Sequence, residues 1–396
     1  MISFGNLLIP WVVGLFSSRI EPQLVYNPSP TVIPDYIAKY APVVQLYSEE
    51  VYLPGDIEEF VGHFRLATEQ ANVTDRLTLG TLNSLAKDTR AVYGENTKLY
   101  MSAQDNWEHD PKWVTAADNV PRPSSGKLAN APAVLITVDK GDFIDAFWFY
   151  FYPFNLGPFV MGAGPYGNHL GDWEHSLVRF SKETKKPEIV WMSAHGGGTA
   201  YWFETLEKLD VDPNRPVILA ARGTHAHYVT GGQHSHDIPW SVLCDFTDRG
   251  DIWDPAANYM AYTFDGTEVR PANGTAPGRE STHKDWLLFD GYWGDKKLDP
   301  DDPRQAWSIW EYRMIDGPQG PLFKNLMRTN PCQRSKWWNV FHSCRVRNRV
   351  TPGEGLEQES PSCPMILERI PKPFDYIFSW VLWRGWFCFW LDRLLA

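Results

Sequence analysis

The 396-residue chain has no excess of basic residues and lacks several short enzyme motifs. Its 37 Lys and Arg are outnumbered by 48 Asp and Glu, giving a formal net charge of −11. This balance excludes the basic surface with which proteins bind nucleic-acid phosphates. There is no P-loop, no GxSxG nucleophile elbow and no HExxH zinc motif. The five cysteines form no CxxC pair, which excludes a zinc ribbon.

Aromatic residues, by contrast, are abundant. The chain has 19 Trp, 17 Tyr and 21 Phe, together with 31 Pro and 30 Gly. Aromatic side chains favour strands, and Gly and Pro favour the turns between them. No predicted helix is long enough to cover a parallel sheet. The pattern therefore predicts a mainly β fold, with an antiparallel β-sandwich or jelly-roll-like core and short peripheral helices.

Both ends of the chain suggest contact with membranes. Residues 1–34 combine a short apolar run, which has the length of a signal-peptide core, with a Pro-rich lead-in. Residues 374–396 are rich in Trp and Phe beside basic residues, which predicts an aromatic C-terminal helix lying on a membrane surface. A tail that packs back onto the protein is the alternative. Between the ends we predict a β-rich core domain at 35–315 and a Cys/Pro/Arg-rich extension at 316–373.

Two glycosylation sequons and a cysteine cluster favour the secretory pathway. The sequons begin at Asn72 and Asn273. Cys332, Cys344 and Cys363 lie close together in the extension, so one disulfide is expected there if the chain enters an oxidising compartment. These features predict an endomembrane location, in the endoplasmic reticulum or the vacuole.

The most informative segment is Gly-Asp-Trp-Glu-His at 171–175, directly before an apolar run. The run predicts a strand, and strand side chains alternate between faces. Asp172 and Glu174 should therefore share one face, and Trp173 and His175 the other. Two carboxylates on one face of a buried strand must be paired, hydrogen-bonded or metal-bound.

Histidines concentrate near the glycine-rich turns that follow this strand. Six of the 11 histidines fall between positions 175 and 236. Three interpretations stay open. The first is a divalent-metal site, with His225, His227 and Asp248 as candidate ligands. The second is a metal-free acid–base pocket built from the same residues, and the third is a structural network of buried polar groups.

Several motifs in one order resemble a known family. They are Gly-Asn-His-Leu-Gly-Asp-Trp-Glu-His at 167–175, Ser-Ala-His-Gly-Gly at 193–197, Ala-Arg-Gly-Thr-His-Ala at 221–226 and Asp-Phe-Thr-Asp-Arg-Gly at 245–250. Over residues 35–315 the chain is similar to the fungal vacuolar protein sorting-associated protein 62 family. The resemblance implies a β-rich fold, a fungal origin and a link to protein delivery to the vacuole. It does not imply a reaction.

Two functional hypotheses follow. In the first, the chain is a membrane-associated biosynthetic enzyme that cyclises or isomerises an apolar terpenoid or polyketide. The candidate acid–base or orienting residues are Asp172, Glu174, His175, His195 and His225. The candidate substrate-binding residues are Trp173, Trp202, His227 and Tyr228, which suit a mainly apolar pocket. In the second, the chain is a non-catalytic sorting or trafficking factor whose polar residues stabilise the fold.

Overall fold

A computed structural model describes residues 32–350, apart from 160–162, 196, 236–243, 277–283, 308–310, 334–343 and 345. The described part contains four short α-helices and 17 strands. The α-helices are α1 Asp35–Lys39, α2 Ile57–Gly62, α3 Leu82–Tyr93 and α4 Lys112–Thr115. The strands are β1 Val43–Gln45, β2 Phe64–Thr68, β3 Leu99–Ala103, β4 Ala133–Asp139, β5 Phe143–Asn155, β6 His169–Ser181, β7 Pro187–Ala194, β8 Gly197–Trp202, β9 Lys208–Leu209, β10 Asp212–Ala220, β11 His227–Tyr228, β12 Gly232–Ser235, β13 Cys244–Thr247, β14 Ile252–Trp253, β15 Tyr259–Phe264, β16 Val269–Ala272 and β17 Val346–Arg347. Four 3-10 turns, at Phe203–Thr205, Pro255–Ala257, Asp285–Leu288 and Pro321–Phe323, complete the elements.

An eight-stranded sheet forms the centre of the protein. Its strand order is β16-β15-β4-β5-β6-β7-β8-β17, with β5 and β6 as its longest strands. The four central strands pair antiparallel, whereas β15 pairs parallel with β4 and β17 parallel with β8. The continuous aromatic run of β5 is buried because both faces of this sheet are covered.

A smaller sheet packs against one face. Its order is β11-β10-β1-β14, with β9 beside β10, and β1 runs parallel to β10. Val44, Ile218 and Trp253 of this sheet share an apolar core with Trp148 and Tyr150 of the large sheet. This packing makes a β-sandwich, and the prediction of a mainly β sandwich with short peripheral helices is confirmed.

The other face of the large sheet is covered by helices and by the two-stranded antiparallel sheet of β2 and β3. Phe60 from α2, Leu82 from α3 and Trp113 from α4 share an apolar core there with Phe149 and Trp173 of the large sheet. Helix α2 begins after Asp56, whose side chain caps it by accepting hydrogen bonds from the backbone N–H groups of Glu58 and Glu59.

The chain beyond residue 316 also contacts the large sheet. The Thr329 carbonyl accepts a hydrogen bond of 2.9 Å from Arg179, and the Leu326 carbonyl accepts one of 2.8 Å from Lys140. Arg328 lies 4.7 Å from the ring centre of Trp191. Domain boundaries at 315 and 373 stay a prediction, and the predicted membrane tail at 374–396 lies outside the described residues, as do residues 1–31.

One feature of the described residues bears on the cell compartment. Cys332 and Cys344 form a disulfide, which agrees with the expectation of one bridge in this region. Cys363 lies outside the described residues. Among the helices that the structure describes, none has the length and apolar character needed to cross a membrane.

Candidate functional site

The carboxylates of β6 lie where the two sheets meet. Asp172 pairs with Tyr152 in the register of β5 and β6, and its side chain faces the smaller sheet. His175 points to the opposite face, where its ring stacks on Phe149 at 4.9 Å, and Trp173 lies on that face too. The alternation predicted from the sequence is therefore present. It also separates His175 from the carboxylates with which it was grouped.

Asp172 and His225 form a buried pair. Their Oδ2 and Nδ1 atoms lie 3.0 Å apart, and both side chains are almost fully shielded from solvent. The His225 ring stacks on Tyr152 at 3.7 Å, and its Nε2 lies 3.1 Å from the Tyr52 carbonyl oxygen. These contacts hold the ring in one orientation, with both nitrogens engaged.

Burial disfavours the charged form of each partner, but the hydrogen bond and the attraction between the two partners offset this cost. The hydrogen bond from His225, together with nearby His169, holds the pKa of Asp172 below its usual range. The Asp172 hydrogen bond and the neighbouring Glu50 raise the pKa of His225 above its usual value. The pair is thus an ion pair from mildly acidic pH upward, until His225 loses its proton.

Glu50 fixes the turn that carries His225. Its carboxyl oxygens accept hydrogen bonds from the backbone N–H groups of Val51, Tyr52 and Gly223, at 2.9, 3.0 and 2.7 Å. It thereby connects the loop after β1 with the turn after β10. That connection places His225 against Asp172, although the two residues are far apart in sequence.

Glu174 is the second carboxylate of the strand. The Ser193 hydroxyl donates a hydrogen bond to it and accepts one of 2.8 Å from the His175 backbone N–H. Burial and the nearby charge of Asp172 raise the pKa of Glu174 to about 8. The adjacent Lys324 has its pKa lowered by burial, against the opposing attraction of the two carboxylates. At neutral pH, Glu174 therefore keeps its proton while Asp172 is ionised.

A third carboxylate, Asp245 on β13, organises the neighbouring loops. It accepts hydrogen bonds from the hydroxyls of Thr224 and Tyr228, both at 2.7 Å, and lies 2.5 Å from Nε2 of His195. The ring of Tyr228 stacks on His234 at 3.8 Å. Asp245 thus connects three segments that each carry a predicted site residue.

The predicted metal ligands do not converge. Asp248 accepts hydrogen bonds from the backbone N–H and the hydroxyl of Ser48, and His225 is engaged by Asp172. Among the described residues, no three His, Cys, Asp or Glu side chains are grouped so that they could hold a metal ion. A divalent cofactor therefore has no candidate ligand set in this part of the chain.

The predicted substrate-binding residues lie in different surroundings. Trp173 and His227 are buried, with 2% and 1% of their surface exposed, whereas Trp202 at the end of β8 is 44% exposed. His227 packs edge-on against Tyr150, and burial lowers its pKa to about 3, so it stays neutral. The hydroxyl of Tyr228, the fourth of these residues, donates a hydrogen bond to Asp245.

Glu50, Lys324 and Tyr152 were missed by the reasoning from sequence. Glu50 binds backbone N–H groups, which leaves no spacing signal. Lys324 lies in the region assigned to the C-terminal extension. For Tyr152 a signal existed, because it is one of the alternating residues of β5 that face the same side as Asp172 and Glu174 across the antiparallel pair.

The raised pKa of Glu174 predicts how stability depends on pH. Between about pH 4.5 and 8 the folded chain holds a proton on Glu174 that the unfolded chain has released, so stability falls as pH rises. The slope from one proton is at most roughly 1.4 kcal/mol per pH unit. Glu174→Gln removes this term and can still accept the Ser193 hydrogen bond. We expect the variant to gain stability over the parent from pH 6.5 to 8.5, measured by urea unfolding.

The window starts at pH 6.5 because the buried neutral His175 and His227, with lowered pKa values, titrate in the unfolded chain below it. The exposed Glu183 provides the control, since Glu183→Gln should leave the slope unchanged. Equal slopes for Glu174→Gln and the parent would mean that Glu174 is ionised in the folded chain.

Comparison with known proteins places the chain in a family. Residues 111–259 match the family model of vacuolar protein sorting-associated protein 62. The chain is 42% identical to "Vacuolar protein sorting-associated protein 62" of Saccharomyces cerevisiae, over 97% of this chain and 88% of the yeast protein. It is 43% identical to "Putative vacuolar protein sorting-associated protein TDA6" of the same yeast, over 91% of this chain and 83% of that protein.

Solved structures match only weakly. The crystal structure of Necrosis and Ethylene inducing Protein 2, from the causal agent of cocoa's Witches Broom disease, is 12% identical with a TM-score of 0.26. The match covers 52% of this chain and 72% of that one, and at this TM-score it carries no inference. The identity to the yeast proteins over nearly the whole length decides the assignment. The chain belongs to the vacuolar protein sorting-associated protein 62 family.

Proposed function

We propose that this chain acts in vacuolar protein sorting as a non-catalytic factor. Its two yeast relatives carry names that associate them with that process. The observation that carries the proposal is the way the polar residues are used: Asp172, His225, Glu50 and Asp245 are bonded to one another, to neighbouring side chains and to loop backbone. Such a network fixes the loops at one end of the sandwich, which is a structural role.

The alternative is the biosynthetic enzyme, a cyclase or isomerase of an apolar substrate. One observation favours it: Glu174 is only partly buried and holds a proton at neutral pH, as a general acid must. His175, another of the candidate acid–base or orienting residues, lies on the other face of the strand beside Phe149. A mechanism would therefore have to use Glu174 with Asp172 or His195.

The test is gene replacement in the source fungus, read by two assays on the same strains. One measures vacuolar hydrolases in the medium, and the other profiles metabolites. On deletion we expect secreted hydrolases and an unchanged metabolite profile. A Glu174→Gln allele, which keeps the hydrogen bond but cannot donate a proton from a carboxyl group, should restore sorting. If the deletion instead abolished one metabolite and accumulated its precursor, with sorting normal, the enzyme hypothesis would replace ours.

We further propose that the aromatic tail at 374–396 holds the chain on an endomembrane surface, where a sorting factor would meet its cargo. The tail's Trp and Phe residues beside Arg384 and Arg393 are the basis. A chain ending at Pro373 should lose pelleting with membranes while keeping its fold. Unchanged pelleting would remove the tail from the proposal.

A further inference from the structure

A polar cleft lies apart from the Asp172–His225 pair. It has a volume of about 310 Å³ and lies between the two-stranded sheet of β2 and β3, the start of β6 and residues 295–315. Its lining includes the hydroxyl residues Thr68 and Ser102, the carboxylate of Asp295 and the cations Lys296 and Arg304. The indole of Trp107 lines it as well. Hydroxyls, a carboxylate and an aromatic ring together are the groups that bind a sugar.

Asp295 is held in place within this cleft. Its Oδ1 accepts a hydrogen bond from the Ala103 backbone N–H at 3.0 Å, and its Oδ2 accepts one from Nε1 of Trp107 at 3.1 Å. The Ser102 side chain also donates to it. A carboxylate has about four acceptor positions, so one remains for a ligand hydroxyl.

The acceptor asparagine of the first sequon is itself part of the lining. Asn72 is exposed and contributes to the wall of the cleft. Its backbone pairs with Ala67 in an antiparallel bridge, and the hydroxyl of Thr74 accepts a hydrogen bond of 2.8 Å from the Leu66 N–H. The asparagine is therefore fixed at the cleft. The second sequon asparagine, Asn273, is exposed and is not part of this lining.

The Cys332–Cys344 disulfide agrees with an oxidising compartment, and N-linked glycans are transferred in that same pathway. We propose that Asn72 carries an N-linked glycan and that the first N-acetylglucosamine of this glycan lies in the cleft. The bond that forms joins Nδ2 of Asn72 to C1 of the sugar. The amide loses one proton, and the lipid diphosphate of the oligosaccharide donor leaves.

The size of the cleft limits what it holds. Its volume of about 310 Å³ suits one hexosamine residue rather than a whole glycan. The rest of the glycan extends into solvent. The hydroxyls of the sugar meet Asp295 and Ser102, and its apolar ring face meets Trp107. The chain thereby fills its own cleft, which is then closed to external ligands.

The experiment compares the full-length chain from a fungal host with the same chain from a bacterial host that forms disulfides but does not glycosylate. Mass spectrometry of glycopeptides should show occupancy at Asn72. We expect Asn72→Gln to lower the thermal midpoint of the fungal protein by about 2–4 °C, and to leave that of the bacterial protein unchanged. Asn273→Gln should change neither. Trimming the glycans to a single N-acetylglucosamine should preserve the midpoint.

A second variant tests the position of the sugar. In the fungal protein, Ser102→Ala should lower the thermal midpoint more when Asn72 is present than when Asn72 is replaced by Gln. Only the chain with Asn72 holds the sugar in the cleft, so only that chain loses a contact with the sugar. An equal effect in both backgrounds would place the sugar outside the cleft. An unoccupied Asn72 in the fungal protein would overturn the whole proposal, and neither result would touch the sorting function.

Discussion

Asp172→Ala is expected to lower the free energy of unfolding by about 3–5 kcal/mol, since it leaves the buried His225 without its partner. Asp172→Asn should cost less, because an amide oxygen can still accept the Nδ1 hydrogen bond. His225→Ala should lower the free energy of unfolding by a similar amount, because it leaves the buried Asp172 carboxylate without its partner. Urea unfolding of the two single variants and the double variant gives the coupling energy, which we expect to be well above 1 kcal/mol.

An exposed pair of the same geometry provides the control. Nδ1 of His63 and Oδ2 of Asp105 also lie 3.0 Å apart, but 28% and 61% of these side chains are exposed. Asp105→Ala should therefore cost at most about 1 kcal/mol. If Asp172→Ala unfolded with the stability of the parent and yet lost sorting in the fungus, the network would have a direct functional role, against our proposal.

The effect of Asp172→Ala should depend on pH in a definite direction. The raised pKa of His225 makes its contribution complete below about pH 6.5, and the contribution is lost as pH rises through the folded value. The lowered pKa of Asp172 makes its contribution complete above about pH 3.9, and this is lost as pH falls. The difference between parent and variant should thus be largest between about pH 4 and 6.5.

Gly171→Ala is the second substitution that we expect to lower the free energy of unfolding strongly. Gly171 has a φ of +66°, and a Cβ placed there would lie 2.3 Å from the Trp293 carbonyl oxygen. The left-handed backbone costs a side chain about 1–2 kcal/mol, and overpacking costs about 1–3 kcal/mol more. We expect a total loss of about 2–5 kcal/mol, read from urea unfolding, together with displacement of Trp293 from Trp173.

Gly141 separates these two contributions. It has a φ of +80°, in the turn between β4 and β5, but a Cβ there would meet no atom within 4 Å. Gly141→Ala should therefore cost only the backbone part, about 1–2 kcal/mol. Equal losses for the two variants would show that the Trp293 carbonyl moves aside freely.

The fold was predictable from the sequence where it depends on interactions between residues that are close together in the chain. The strand predicted from the apolar run after Gly-Asp-Trp-Glu-His depends on neighbouring residues, and it is present as part of β6. Helix α3 begins at Leu82, and the side chains of Thr78 and Thr81 hydrogen-bond to each other in the turn that precedes it. The parallel pairs of the two sheets depend on segments far apart in sequence, so no local pattern indicates them.

The site was predictable only in part. Asp172, Glu174 and His225 follow from residue type and strand alternation, and the structure brings them close together. His175 was grouped with them by adjacency, yet alternation places it on the other face. Glu50 acts through backbone N–H groups, which any sequence supplies, so nothing in the residue pattern indicates it.

The parallel pairing of β1 with β10 has a consequence during synthesis. Val43 pairs with Val217, 174 residues later in the chain. At roughly 5–20 residues per second, a ribosome needs about 10–35 seconds to make the intervening chain. During that interval β1 has no partner strand on either side, since β14 follows later still. Nascent chains halted before residue 217 should therefore bind chaperones through their amino-terminal part, and longer ones should release them.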